Sequence, residues 1–330
     1  MVNVTVCLIT YNSAWTLAAC LGSLRDQTLP FHQILALDNT SSDDSVSILK
    51  MFPNIEVTES GENTGFAAGF NRLFARATGE WILLLNPDAR LAPDFHEKSM
   101  RILEAMTDAA IGMISPKVLR ARGDALEPAE VLDSAGIRWT LLFRHVDRGS
   151  NEADRGQYDD PALVFGPTGA AALYRRTALE AVALDGQVLD ERFFVYREDA
   201  DLAFRLQWKG VRCLYSPDLA AWHERRVLPE RRRELPSVLN YHSLKNRHLL
   251  RLKNLTGLLW VLLLPTTVFY EAFILLYCLL FERGSLPAYT YAARTLRASL
   301  RWRRHTLGDK RVSSWYIFTY FLWPKRKSPL

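Results

Sequence analysis

The sequence predicts an α/β fold with a mostly parallel central sheet and helices on both faces, followed by a helical extension. Three observations predict it. Short apolar, β-branched runs alternate with helix-spaced stretches over the first ~110 residues, which is the pattern of a parallel sheet. The apolar runs end in polar residues, Tyr11-Asn12, Asp38-Asn39 and Asn86-Pro87-Asp88. Ligands of such sheets sit beyond the carboxyl ends of the strands. From Glu224 onward the composition turns basic and apolar. With 330 residues, 48% of them apolar and 23% charged, the chain can bury a sizeable core, which excludes global disorder.

The elements follow in order. Val4–Thr10 reads as a buried strand, and residues 14–24 carry helical spacing at Leu17, Cys20, Leu21 and Leu24. Residues 34–37 form a second strand ending at Asp38, and Ser41-Ser42-Asp43-Asp44 offers N-cap chemistry for a helix through Met51. A third strand (55–58), a helix (67–77) punctuated by Gly79, and a fourth strand, Trp81–Leu85, come next. The polar stretch 124–161 has weak periodicity and reads as a loop-rich insertion or hairpin region. Strand character returns over 163–174, around Gly166-Pro167-Thr168-Gly169. Residues 193–208 open on aromatics, and Glu198-Asp199-Ala200-Asp201 starts a helix, where carboxylates complement the exposed N–H groups. Residues 211–215 form another strand, and His223 follows it. The expected domains are 1–223 and 224–330.

Cys7, Cys20, Cys213 and Cys278 lie far apart with no CxxC pair, which predicts reduced core residues and excludes a disulfide frame. The N-terminus enters a strand pattern directly, so no secretory signal is expected.

Of the 41 Lys/Arg, 20 lie in residues 224–330, against 6 of the 36 Asp/Glu. An acidic body with a basic tail points to a polyanionic partner, nucleic acid or anionic lipid, or to a solvated basic face. Residues 225–233 and 241–254 are basic, and 255–281 is a long apolar run. A membrane span needs about 20 residues. Pro265 and Glu271 interrupt the run, however, and a charge at bilayer depth costs about 2.5 kcal/mol or more. Residues 294–304 and Lys325-Arg326-Lys327 add charge, interleaved with Trp302, Trp315, Tyr316, Tyr320 and Trp323, a mixture suited to the headgroup zone. Membrane association through interfacial or re-entrant helices is expected ahead of a clean span or a buried hydrophobic extension. A nucleic-acid-binding tail is the alternative from another class, and the apolar run argues against it, since such a groove would be polar.

Taken singly, the candidate site residues are ambiguous. Asp38 is either a helix cap or an acceptor for a base or ribose. The stretch from Asn63 to Asn71, with Gly65 and Gly69, is either a plain turn with close helix packing or a backbone approach to a phosphate at a helix N-terminus. It is not GxGxxG, and no P-loop is present. Asp88, held by Pro87 at the end of a strand, is either a turn residue or one carboxylate ligand to a hard divalent cation. Glu198, Asp199 and Asp201 are either a solvated helix start or carboxylates that raise one another's pKa. His223 alone is more often structural than a ligand.

Together, these motifs resemble the bacterial family 2 glycosyltransferases of the GT-A (Rossmann-like) fold. The match runs through Thr10-Tyr11-Asn12-Ser13, Asp38-Asn39, Asn63 to Asn71, Asn86-Pro87-Asp88, Gly169-Ala170-Ala171, Glu198-Asp199-Ala200-Asp201 and His223. Gly156-Gln157-Tyr158-Asp159, Leu173-Tyr174-Arg175-Arg176 and the basic-apolar tail carry a narrower resemblance to rhamnosyltransferases of lipid-linked cell-wall or O-antigen glycans. The resemblance implies a nucleotide-sugar pocket lined by Thr10, Tyr11, Asn12, Asp38, Asn39, Asn63, Gly65, Asn71, Asn86 and Asp88. It implies Asp88 and His223 as ligands to Mg²⁺ or Mn²⁺, with Asn86 neutral where many members have a carboxylate. Asp199 matches the catalytic base, Glu198 is the second choice, and Gly169, Asp201 and Arg205 are expected on the acceptor side, with 124–161 as a wall. The implied reaction is inverting transfer from a nucleotide-sugar, dTDP-rhamnose first and a UDP-hexose or galactofuranose donor second. The acceptor is a lipid-linked saccharide on the cytoplasmic face of the bacterial inner membrane. An anionic membrane surface is the expected partner, nucleic acid is not, and homo-oligomerisation is left open.

Overall fold

The computed structural model describes residues 2–225 and 236–322. Arg226 to Arg233, Trp323 and Lys325-Arg326-Lys327 lie outside the described residues. The first part of the chain runs β1 (Val4–Thr10), α1 (Ala14–Arg25), β2 (Gln33–Asp38), α2 (Ser45–Lys50), β3 (Glu56–Glu59), α3 (Gly65–Arg76) and β4 (Trp81–Leu85). Next come β5 (Ala89–Leu91), α4 (Phe95–Ala105), β6 (Ile111–Arg122), β7 (Glu127–Ser134), β8 (Ile137–Trp139), β9 (His145–Asp147) and β10 (Ala162–Val164). They are followed by β11 (Ala171–Arg175), α5 (Arg176–Val182), α6 (Glu198–Trp208) and β12 (Arg212–His223). The last part holds α7 (Ser237–Asn254), α8 (Gly257–Phe281), α9 (Pro287–Arg294), α10 (Leu296–Gly308) and α11 (Ser314–Thr319).

The main sheet has the order β10-β12-β6-β11-β4-β1-β2-β3, with β5 on β12 and β7 on β6. β3, β2, β1 and β4 are parallel, as the alternation predicts. The sheet is mixed beyond β4, because β11 runs antiparallel to both β4 and β6. β1 is buried along its whole length, and its side chains alternate between two cores. Cys7 and Ile9 pack with Phe70 and Leu73 of α3, whereas Val6 and Leu8 pack with Leu17 and Leu21 of α1. Burial on both faces is why β1 reads as an unbroken apolar run.

The stretch 124–161 is the expected mixture of hairpins and loops: β7 pairs with β6, and β8 pairs with β9. β7 lies off the main path of the sheet and is buried only over Leu132, Asp133 and Ser134, so it carries little apolar periodicity. The strand expected over 163–174 divides into β10 and β11. The strand expected over 211–215 continues as β12, through a bulge, to His223. Asp44 takes the N-cap position of α2, but it is Asp43 that accepts from the Ser45 N–H at 3.0 Å there and also from the Ala14 N–H at the start of α1, while Ser41 and Ser42 bond Asp38 and Asn12. All four cysteines are buried and free.

The tail shares the main core. Leu249, Leu250 and Leu255 join the cluster that contains Phe193, Phe204 and Trp208. The change at Glu224 is therefore one of composition and not a break between cores. α8 is long and apolar enough to cross a membrane, yet only 17% of its most apolar stretch is buried. Glu271 does not face an apolar surrounding: it pairs with Arg247 at 2.5 Å and with Arg251, both on α7.

Candidate active site

The site assembles at the carboxyl end of the parallel strands. β1 and β2 pair in register, so Thr10 lies opposite Asp38. The Thr10 hydroxyl donates to Asp38 at 2.9 Å, and the Ser41 hydroxyl and N–H donate at 2.6 and 2.8 Å. Asp38 is 2% exposed, so these bonds offset its burial and fix the carboxylate at the sheet edge. Tyr11 is 52% exposed beside it. Asn12 sits at φ +49° and accepts from the Ser42 N–H at 2.8 Å, closing the loop over the strand ends.

β4 delivers Asn86-Pro87-Asp88, and β5 turns back along β12. That register pairs Ala89 with His223, the last residue of β12. Asp88 Oδ1 consequently lies 3.2 Å from His223 Nε2. This oxygen is buried yet makes no aligned hydrogen bond. On its other side, His223 Nδ1 meets Asp133 Oδ2 at 2.8 Å. Asp133 is fully buried and also meets Arg120 at 2.9 Å and Arg225 at 3.0 Å. Burial alone would raise the Asp133 carboxyl. The His223 bond and the charges of His223, Arg225 and Arg120 outweigh it and hold the carboxyl below its ordinary value. Burial disfavours the His223 imidazolium, but Asp88 and Asp133 overcome that and raise it to about 9.

This donor set fits a divalent cation. Asp88 Oδ1 is a buried carboxylate oxygen without an aligned hydrogen bond, it faces His223 Nε2 at 3.2 Å, and Asp133 orients the ring from behind. A carboxylate behind a ligating histidine is a recurrent arrangement in metal sites. No group of three or more His, Cys, Asp or Glu suited to a metal occurs among the described residues. Two protein ligands leave most positions to substrate phosphates and water, as hard divalent ions accept.

The Glu198-Asp199 pair is placed by a strained turn. Phe194, Tyr196 and Arg197 all have positive φ, at 63°, 68° and 69°, just before α6. Non-glycine residues held there cost about 1–3 kcal/mol each and persist only where the surroundings impose them. α7 imposes them here. The Asn246 side-chain amide lies 2.8, 2.7 and 2.7 Å from the carbonyls of Phe193, Val195 and Tyr196. Arg197 donates to the Ser243 carbonyl at 3.0 Å.

Asp199 Oδ2 accepts from the Gly169 N–H at 3.1 Å, and Oδ1 accepts from the Ala200 N–H at 2.7 Å. The Ala170 carbonyl, one residue on, accepts from the Asn86 N–H at 3.0 Å. Two consecutive residues thus tie Asp199 to the strand end that carries Asp88. Tyr196 stands between the two groups. Burial and the charges of Glu198 and Asp88 push its hydroxyl up to about 12. Burial, then Asp199, pushes the Glu198 carboxyl up to about 8, and its Oε2 has no partner. Asp199 is raised by burial and by Asp147, while the Ala200 and Gly169 N–H groups and Arg197 oppose the rise.

Other expected site residues serve the scaffold. Asn71 is buried and saturated: it accepts from the Val188 and Leu189 N–H groups and donates to the Leu189 carbonyl and Glu191. Asn39 is 2% exposed and ties the Thr64 N–H to the Gly65 carbonyl, and Asn63 accepts from the Gly65 N–H. Gly65, at φ +83°, admits a protein group: an added Cβ would meet the Phe194 ring at 2.5 Å. The Phe66 N–H donates to the Phe194 carbonyl at 2.6 Å, so the start of α3 is not an open phosphate cradle. Asp201 and Arg205 are each 1% exposed and paired at 2.9 Å. Lys253 and Asn254 take the rest of Asp201, so neither Asp201 nor Arg205 lines an acceptor surface. Sequence reasoning missed Asp133 and Asn246, which lie on β7 and α7 and carry no local motif, and Tyr196, which sits in the turn two residues before Glu198.

A family model described as Glycosyl transferase family 2 matches residues 5–183. The chain is 25% identical over 253 residues to the N-acetylglucosaminyl-diphospho-decaprenol L-rhamnosyltransferase of Mycobacterium tuberculosis, covering 67% of this chain and 75% of that protein. Two solved structures share its fold. The mannosyltransferase PcManGT from Pyrobaculum calidifontis, in complex with GDP-Man and Mn²⁺, matches with a TM-score of 0.52 at 20% identity, over 92% of this chain and 84% of that one. GalNAc-T7 with UDP, GalNAc and Mn²⁺ matches with a TM-score of 0.58 at 14% identity, over 76% of this chain and 48% of that one. With the family model spanning more than half of its residues, the chain belongs to glycosyl transferase family 2.

Proposed function

We propose that this glycosyltransferase moves L-rhamnose, with inversion, from dTDP-rhamnose to a lipid-linked saccharide at the cytoplasmic face of the bacterial inner membrane. The observation that carries the reading is the Gly169-Ala170 link, which ties Asp199 to the Asp88–His223 end of the sheet. The donor and acceptor assignments draw support from the mycobacterial relative's name.

The chemistry follows from the side chains. Asp38 accepts from the pyrimidine base, and exposed Tyr11 offers it a face. Asp199 removes the proton from the acceptor hydroxyl. The hydroxyl oxygen bonds to the anomeric carbon as the bond from that carbon to the diphosphate oxygen breaks, and the nucleoside diphosphate leaves with the electron pair. Glu198, raised to about 8, is protonated at neutral pH, so the negative charge of the pair rests on Asp199. Asp88 and His223 would hold Mg²⁺ or Mn²⁺ with the donor diphosphate, and the ion would neutralise charge on the leaving group. Asp133 keeps His223 oriented for that task.

Replacing Asp199 by Asn preserves its shape and removes the base. Transfer should fall at least about 100-fold, the contribution typical of a positioned base, with donor binding retained. Near-normal transfer by Asp199→Asn would remove Asp199 from this role. A panel of dTDP- and UDP-sugars assayed with Mg²⁺ or Mn²⁺ tests the donor, and turnover of a UDP-hexose or galactofuranose donor alone would replace rhamnose.

A further inference from the structure

A cluster of arginines lies beside the catalytic turn and exceeds the carboxylates available to it. Arg247 and Arg251, one turn apart on α7, are 4% and 3% exposed. Both reach Glu271 of α8, the one carboxylate among their ion pairs within the described residues. Arg197, on the catalytic turn, approaches His145 at 3.1 Å, and Arg144 precedes that histidine in the β8–β9 loop. The charges of Arg247, Arg144 and Arg251 act on Arg197 strongly enough that, with burial as the largest cause, its guanidinium falls to about 9. The aromatic rings of Tyr270 and Phe143 stack over Arg247 and Arg251 at 4.9 and 5.4 Å and supply no charge.

Donors are left over. Arg247 Nε and Arg251 Nε and Nη2 are buried with no hydrogen-bond acceptor. A buried guanidinium without an acceptor costs several kcal/mol, and a surplus of buried positive charge costs more. A protein keeps such a surplus where an anion completes it. The cluster is also reachable: Arg144, His145, Arg197 and Tyr270 are only partly buried and form its rim. The rim is closed on one side by α8, where the Thr266 hydroxyl donates to the Leu141 carbonyl at 2.6 Å. The exposed apolar face of α8 runs past this point, with Val268 and Phe269 58% and 75% exposed. On the other side lies Asp199, which is within electrostatic reach of Arg197.

The geometry points to a second phosphate site: Arg144, Arg197, Arg247 and Arg251 bind the diphosphate of a lipid-linked acceptor, between the catalytic base and the apolar helix. The inference rests on the lipid-linked acceptor proposed above and names the group that docks it. The placement suits such a molecule, whose saccharide must reach Asp199 while its hydrocarbon stays with α8. Guanidinium forks match phosphate oxygens two at a time, which a lysine cluster would not.

The test uses the full chain and inorganic pyrophosphate. Calorimetry in EDTA removes the metal-dependent donor site from the signal. Wild type should bind, Arg251→Gln and Arg144→Gln should each weaken binding about 10-fold or more, and Asp88→Ala should leave it unchanged. Arg144 lies on the half-exposed rim away from Glu271, so Arg144→Gln stays informative if Arg251→Gln fails to fold. No binding by wild type, or binding as tight as wild type by both arginine variants, would overturn the site. Arginine-dependent binding of phosphatidylglycerol vesicles without pyrophosphate binding would make it a headgroup site and sink the acceptor assignment. Nucleoside diphosphate binding with Mn²⁺, measured on the same variants, reports on the donor reading separately.

Discussion

Single residues decide which carboxylate in this enzyme can accept a proton. Glu198 and Asp199 are neighbours, yet two backbone N–H groups hold Asp199, and Glu198 Oε2 has none. Burial first, and then the Asp199 charge, keep the proton on Glu198 up to about pH 8. A carboxyl raised in the folded state stabilises below its unfolded value near 4.5, and that contribution is lost as pH rises through 8. Glu198→Gln should thus gain stability over wild type at pH 9 and not at pH 5. The expected gain in Tm is at least about 1.5 °C by scanning fluorimetry, the shift per kcal/mol that about 2.1 cal/mol/K per residue gives a chain of 330 residues. Equal shifts at both pH values would show that Glu198 is charged throughout. Because Asp199 is raised, the rate of transfer should decline on the acid side starting above the usual carboxylate range. Asp88 and Asp199 stand out in the sequence because each follows a recognisable local pattern. Asp133 does not, because what makes it matter is His223, 90 residues away and brought to it by the pairing of β6 with β7 and β12.

At the scale of elements, α7 is the least expected participant. Its sequence reads as a basic helix of a membrane tail. In the structure, Asn246 and Arg197's partner Ser243 hold a turn that contains three left-handed residues, and Lys253 neutralises Asp201 while Asn254 donates a hydrogen bond to it. Asn246→Ala releases three carbonyls and should let the turn relax. A displacement of about 1 Å at a reacting group costs up to about 100-fold in rate. The expected result is a fall in kcat of about 10–100-fold with the donor Kd unchanged. A change in donor Kd with kcat intact would contradict a positioning role for Asn246. The sequence marks 241–254 as a basic part of a helical extension, and α7 covers it as Ser237–Asn254. The pattern gave no hint of which polar residues turn inward, because buried polar groups are selected by partners on other elements.

At the scale of the whole molecule, the two ends of the site differ in character. The donor end is a parallel sheet edge with polar loops, and the opposite end is bounded by α8. Eleven large apolar side chains between Leu258 and Phe281 are more than a third exposed, a larger surface than a water-facing helix carries. Glu271, which argued against burial in lipid, turns inward to Arg247 and Arg251, which frees the rest of the helix to lie on a membrane. Phe269→Ser with Phe273→Ser removes roughly 1.5–3 kcal/mol of apolar burial per residue. Partition onto anionic vesicles should fall at least about 10-fold by co-sedimentation, with nucleotide binding retained. Undiminished partition would place the membrane contact elsewhere on the chain.

What the sequence determined by itself is whatever a short window encodes: the strand–helix alternation, the polar ends of strands, the acidic start of α6 and the apolar length of α8. These follow from side-chain period and local backbone preference, which need no distant partner. Only the tertiary structure decided that β11 runs against its neighbours and that His223 faces Asp88. It also separated Asp199, at the cleft, from Asp201 two residues on, which faces Lys253 in the interior. The reason is geometric: two residues along a helix turn a side chain by about 200°, so adjacent carboxylates of one motif meet opposite surroundings.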